Sequence, residues 1–154
     1  MEPGDYEKSE LETESKTPTV LVIDSDELNL RVIKQVLSDL YEVAVATNPR
    51  DAFRIVDSYP IKVVITDQDL PRMTGVRFCE ELEQTGNHST RIIMTTFEHH
   101  REVEKALDLH QIFHILIKPV DVIRLKRGVN NAVADYEQRQ GKRRQRKGGR
   151  THDD

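Results

Sequence analysis

The chain has 154 residues, 36% of them hydrophobic, a formal net charge of −4 and one cysteine. That length suits one domain. A single cysteine excludes an internal disulfide, and no apolar run approaches the ~20 residues of a membrane span. The N-terminus has no positively charged stretch leading into an apolar one, so no signal peptide is expected. A cytoplasmic location is expected.

Charge is concentrated at the two ends. Residues 1–16 set six acids against Lys8 and Lys16, while residues 137–154 set seven cations against Glu137, Asp153 and Asp154. Neither end has enough apolar surface to offset the entropy of ordering. An acidic disordered leader (1–17), one folded domain (18–138) and a basic disordered tail (139–154) are therefore expected.

Within the domain, VLVI (20–23) reads as a buried strand, and Asp26 can cap the helix after it. That helix carries Leu28, Val32, Ile33, Val36, Leu37 and Leu40 at three- and four-residue spacing. Residues 41–46 (YEVAVA) form a second strand. Asn48-Pro49 opens a second helix, with proline at its favoured first position. IKVVIT (61–66) is a third strand and DQDLPRMTG (67–75) a loop. A helix follows over 76–84, ending near Gly86. RIIMT (91–95), a charged helix from Glu98 to Leu109, IFHILI (112–117) and a last helix from Asp121 to about Gln138 complete the chain.

Five strand-helix units with right-handed crossovers give a doubly wound parallel sheet with helices on both faces. Such a sheet puts every carboxyl end at one edge, where ligands bind. Asp24 and Asp26, Asp67, Thr96, and Lys118-Pro119 each follow a predicted strand. Carboxylates brought together repel unless a cation sits among them. The pattern therefore points to a divalent metal and a phosphoryl group, with one carboxylate free as nucleophile. No Gly-rich phosphate loop follows the first strand, which removes the dinucleotide and P-loop readings.

VLVIDSDELN, VVITDQDLPRMTG, Thr96 and Lys118-Pro119 occur in one order across residues 18–138. Together they resemble the receiver domain of bacterial two-component response regulators. The resemblance implies the flavodoxin-like receiver fold with strand order 2-1-3-4-5. It implies Asp67 as phosphoacceptor, taking a phosphoryl group from a sensor histidine kinase or phosphotransfer protein. It further implies Mg2+ held by Asp24, Asp67 and the backbone carbonyl of Asp69, with Asp26 as a further candidate. Lys118 would contact the phosphate and Thr96 would be the switch hydroxyl. The chain departs from the family pattern at Ser25, where a second acid is usual, at Phe97, where a small residue is usual, and at Ile115, where an aromatic is usual.

The expected role is a stand-alone response regulator in phosphorelay signalling. Output would pass by protein contact through the fourth helix, fifth strand and fifth helix, and a homodimer is left open. Such a protein is not a turnover enzyme. A phosphorylation-independent interaction module is the alternative, motivated by Ser25 and Phe97. A dehalogenase-like phosphatase, suggested by Asp67-Gln68-Asp69, is a weaker one. A piece of a longer protein, with the last helix as linker, also stays open. Cys79 is expected in the core, and His99, His100, His110 and His114 outside any metal site. No DNA-binding domain is expected, and the basic tail offers at most weak, salt-sensitive attraction to polyanions.

Overall fold

A computed structural model describes residues 17–152. The acidic leader up to residue 16 lies outside the described residues. Strands β1 (Val20–Ile23), β2 (Val43–Ala46), β3 (Val63–Asp67), β6 (Thr90–Thr95) and β7 (His114–Ile117) form one sheet, in the order β2-β1-β3-β6-β7. All four pairings are parallel. Counting only these strands, the order is 2-1-3-4-5, as the sequence suggests. A short antiparallel ribbon, β4 (Asp69–Leu70) with β5 (Met73–Thr74), lies in the segment expected to be a loop.

Alternate residues of each strand feed opposite faces of the sheet. Val20, Val22, Val63, Ile65, Ile92 and Met94 face α1 (Glu27–Leu37) and α5 (Val122–His152), packing on Leu30, Ile33, Leu125 and Val129. On the other face Leu21, Ile23 and Val64 pack on α2 (Pro49–Ser58) and α3 (Gly75–Gln84), through Ala52, Phe78 and Leu82. Ile93 packs beside Cys79, with Val103 and Ala106 of α4 (His100–Asp108). Each fully buried aliphatic side chain contributes about 1.5–3 kcal/mol. Cys79 is a core residue, and burial pushes its thiol up to about 12.

Polar caps fix where the helices begin. Asp26 accepts from the amides of Leu28 and Asn29, Asn48 from that of Asp51, and Thr74 from that of Arg77. Asp121 accepts from those of Ile123 and Arg124. α3 ends where Gly86 takes φ +82, a conformation that favours glycine.

Two boundaries differ from the sequence reading. A 3-10 turn at Phe97–His99 precedes α4, so the regular helix starts at His100 rather than Glu98. α5 continues through the basic segment to His152, where the last helix was expected to stop near Gln138 and a disordered tail to follow. Arg139 supplies the local reason. It bonds Asp135 one turn back and reaches across to His88 O and Thr90 on the sheet.

Candidate functional site

The site forms at the carboxyl ends of β1, β3 and β7, with β6 between the last two. Ile23 pairs with Thr66, Asp67 with Met94, and Thr95 with Ile117, so the carboxyl ends are nearly level. Asp24 follows β1, Asp67 closes β3 and Lys118 follows β7. Lys118 Nζ lies 2.9 Å from Asp67 Oδ2 and 3.2 Å from Asp24 Oδ2. Asp24 is 1% exposed and Asp67 6%. One ammonium thus bridges two buried carboxylates, each contributed by a different strand.

Asp24 is also held by its own loop. Its Oδ1 accepts from the Asp26 amide at 3.0 Å and its Oδ2 from Asn29 Nδ2 at 2.6 Å. Burial raises the Asp67 carboxyl above its ordinary value, against the opposing pull of the Lys118 hydrogen bond and charge. Burial lowers the Lys118 ammonium, but Asp67 and Asp24 outweigh it and the net direction is upward. Lys118 therefore stays charged, while burial opposes ionisation of Asp67.

The loop after Asp67 is tightly drawn in. A Cβ on Gly75 would lie 2.5 Å from the Asp67 carbonyl oxygen, so only glycine permits this approach. Buried Gln68 ties the loop to two helices. Its Oε1 accepts from the Val76 amide at 2.9 Å, and its Nε2 donates to Glu102 at 3.3 Å. Thr66 Oγ1 donates to Asp67 O at 2.9 Å. The Lys118-Pro119 peptide bond is cis. The sequence reading did not single out Gln68 or Asn29, because an amide side chain carries no motif until its partners are known.

The remaining predicted residues fall in different places. Asp26 is exposed and caps α1 through Oδ1. Asp69 turns its carboxylate to His99 Nδ1 at 3.4 Å, and both side chains are largely exposed. Its amide donates to Asp67 Oδ1 at 3.4 Å. A dehalogenase-like second acid would face the nucleophile, and this one does not. Thr96 follows the end of β6, and its buried Oγ1 has no partner among the described residues. Thr95, the last strand residue, is also buried, and its hydroxyl makes only a 3.4 Å contact to Thr96 O. The edge thus holds two hydroxyls, of which the sequence reading named one. Phe97 is 74% exposed and stacks on His100 at 4.9 Å.

Among the described residues no group of three or more His, Cys, Asp or Glu side chains is placed to hold a metal ion. Asp24 and Asp67 are nonetheless two hard oxygen donors, and Mg2+ keeps several waters when bound. Burial opposes ionisation of Asp67, a cost that a bound cation would offset. On that chemistry the residues could hold Mg2+, through the carboxylates of Asp24 and Asp67 and the carbonyl of Asp69. Exposed Ser25 adds no carboxylate.

Residues 20–130 match the response regulator receiver domain. The chain belongs to this family. The receiver is 23% identical over 104 residues to the hydrogenase transcriptional regulatory protein HoxA of Cupriavidus necator, covering 68% of this chain and 22% of that protein. It is 25% identical over 109 residues to the regulator of RpoS of Escherichia coli K12, covering 70% and 32%. The chain thus spans at most a third of these relatives' length. Among solved structures, a response regulator receiver domain protein from Clostridium thermocellum is 31% identical with TM-score 0.69, covering 77% of this chain and 96% of that one. The signal receiver domain of an HD domain-containing protein from Pseudomonas fluorescens Pf-5 is 26% identical with TM-score 0.74, covering 82% and 94%. Receivers are signalling modules that work with histidine kinases or phosphotransfer proteins. No described helix is long and apolar enough to cross a membrane.

Proposed function

We propose that this receiver is an aspartyl-phosphate switch phosphorylated on Asp67. The observation that carries the reading is the Lys118 ammonium shared by buried Asp67 and Asp24. A carboxylate oxygen of Asp67 attacks the phosphorus of a phosphohistidine on the partner. The phosphorus–nitrogen bond breaks, and the leaving imidazole takes up a proton. Lys118 is then freed from Asp67 to neutralise the phosphoryl oxygens. Mg2+, held by Asp24, Asp67 and the Asp69 carbonyl, would supply further charge neutralisation.

One of the two edge threonines would close on the new phosphate. Thr96 has the unpartnered buried hydroxyl, and Thr95 is the strand-end residue one pair beyond Asp67. Either one links the phosphate to the turn before α4, and so to the face formed by α4, β7 and α5. Output would leave by protein contact at that face, as a stand-alone switch or as part of a longer protein.

Incubation with acetyl phosphate and Mg2+, followed by a phosphate-affinity gel, tests this reading. A base-labile shifted band in the wild type, absent in Asp67→Asn, is expected. Thr95→Ala and Thr96→Ala then show which hydroxyl is needed for the conformational change. The second reading is a module that never uses phosphate. Exposed Ser25 in place of a metal-binding acid favours it, and the absence of any band across a range of Mg2+ would establish it.

A further inference from the structure

The C-terminal part of α5 has no role in the phosphoryl site, and its surface is unlike the rest of the domain. Its root is fixed to the N-terminal edge of the sheet, opposite the phosphoryl site. Arg139 Nε donates to Asp135 Oδ2 at 2.9 Å, and its guanidinium reaches His88 O and Thr90 Oγ1. Lys62 beside β3 pairs with Glu137 at 3.0 Å. Beyond this anchor, residues 141–146 are all exposed. They include Lys142, Arg143, Arg144 and Arg146. Among the described residues no carboxylate lies within ion-pair distance of any of these four, whereas Arg139 is paired.

Helical geometry arranges these charges. At 3.6 residues per turn, positions 139, 142, 143 and 146 fall within an arc of about 100°, and 144 lies on the far side. The helix continues past them through Lys147 and Arg150. Residues 137–152 contain no aliphatic residue and no Phe, Tyr or Trp. Insertion into a lipid surface needs an apolar face, which is missing here. Base stacking needs aromatics, which are also missing. What remains is a rigid row of cations on a body whose other residues are net acidic. That matches a dense, regularly spaced polyanion, and duplex nucleic acid carries one phosphate per ~1.7 Å of axis. The acidic body would be repelled, which orients the molecule helix-first.

We propose that the exposed extension of α5, through Lys142, Arg143 and Arg146, binds the phosphate backbone of duplex nucleic acid without sequence preference. The inference does not rest on phosphorylation of Asp67.

Fluorescence anisotropy of the full chain with a labelled mixed-sequence DNA duplex tests it, run as a salt titration from low ionic strength. Binding that is equal on a scrambled duplex is expected. The log–log salt slope should be about −3, because three neutralised phosphates contribute about −0.9 each. A variant carrying Lys142→Gln, Arg143→Gln, Arg144→Gln and Arg146→Gln should bind at least about tenfold more weakly, with a clearly shallower slope. Its fold should persist, because all four positions are exposed and Arg139 is left intact. No binding at low salt, equal binding by the variant, or binding only to phosphatidylserine vesicles would each overturn the proposal.

Discussion

Lys118 Nζ sits 2.9 Å from Asp67 Oδ2, and Asp67 is the carboxylate that burial raises above its ordinary value. The same ammonium is 3.2 Å from Asp24. Removing it leaves two buried carboxylates facing each other. Lys118→Ala should lower stability by about 2 kcal/mol, less than a fully buried pair would lose because Lys118 is partly exposed. Chemical denaturation of the purified variant reads this. The variant should still accept phosphate, at a reduced rate.

The shift of Asp67 has a sign that a pH series can check. Its folded pKa lies above its unfolded one, so the folded state binds more protons between the two values. This group therefore adds stability as pH falls through that window and opposes folding above it. Asp67→Asn removes the cost, and should be more stable than wild type at neutral pH by about 1 kcal/mol. The gain should shrink as pH falls toward the ordinary carboxylate value of 3.8. A variant that is less stable at neutral pH would contradict the burial account.

Gly75 predicts a steric effect at the same residue. A Cβ there would meet the Asp67 carbonyl at 2.5 Å, and backbone cannot yield as a flexible side chain can. Gly75→Ala should cost about 1–3 kcal/mol. It should also slow phosphorylation by displacing Asp67, whereas Gly141→Ala, which meets nothing within 4 Å, should do neither.

Ser25 marks where a carboxylate is missing. Ser25→Asp should tighten Mg2+ binding, because a carboxylate is a better ligand for this hard cation than a hydroxyl. Thermal stabilisation by added Mg2+ reads this directly, through the mass-action gain of a ligand that binds only the folded state. Phosphorylation from acetyl phosphate should then saturate at lower Mg2+. An unchanged Mg2+ dependence would place the metal away from Ser25.

Much of the fold could be read from the chain, because each strand of the main sheet is a short, largely apolar run followed directly by a polar residue. VLVI and IKVVIT show it well, and their register brings Asp24 and Asp67 together. Partners distant in sequence were less legible. Nothing local shows that Gln68 spans Val76 and Glu102, or that Asn29 holds Asp24. Adjacent threonines at the end of β6 leave two candidate hydroxyls. Thr95 closes β6, and the sequence reading took Thr96 alone. Asp26 could serve as a cap or a ligand on composition alone, and only the structure shows it capping α1. The end of α5 was missed because the segment after Gln138 has too little apolar surface to argue for order, while the Arg139 anchor depends on tertiary contacts.

The central claim is that Asp67 carries the phosphoryl group. The most direct measurement is site mapping after acetyl phosphate and Mg2+. Borohydride reduces an aspartyl phosphate to homoserine, and peptide mass spectrometry locates the change. The account predicts reduction at residue 67 and nowhere else. Unmodified Asp67 in a folded, Mg2+-saturated protein, or label at Asp24 or Asp69, would contradict it.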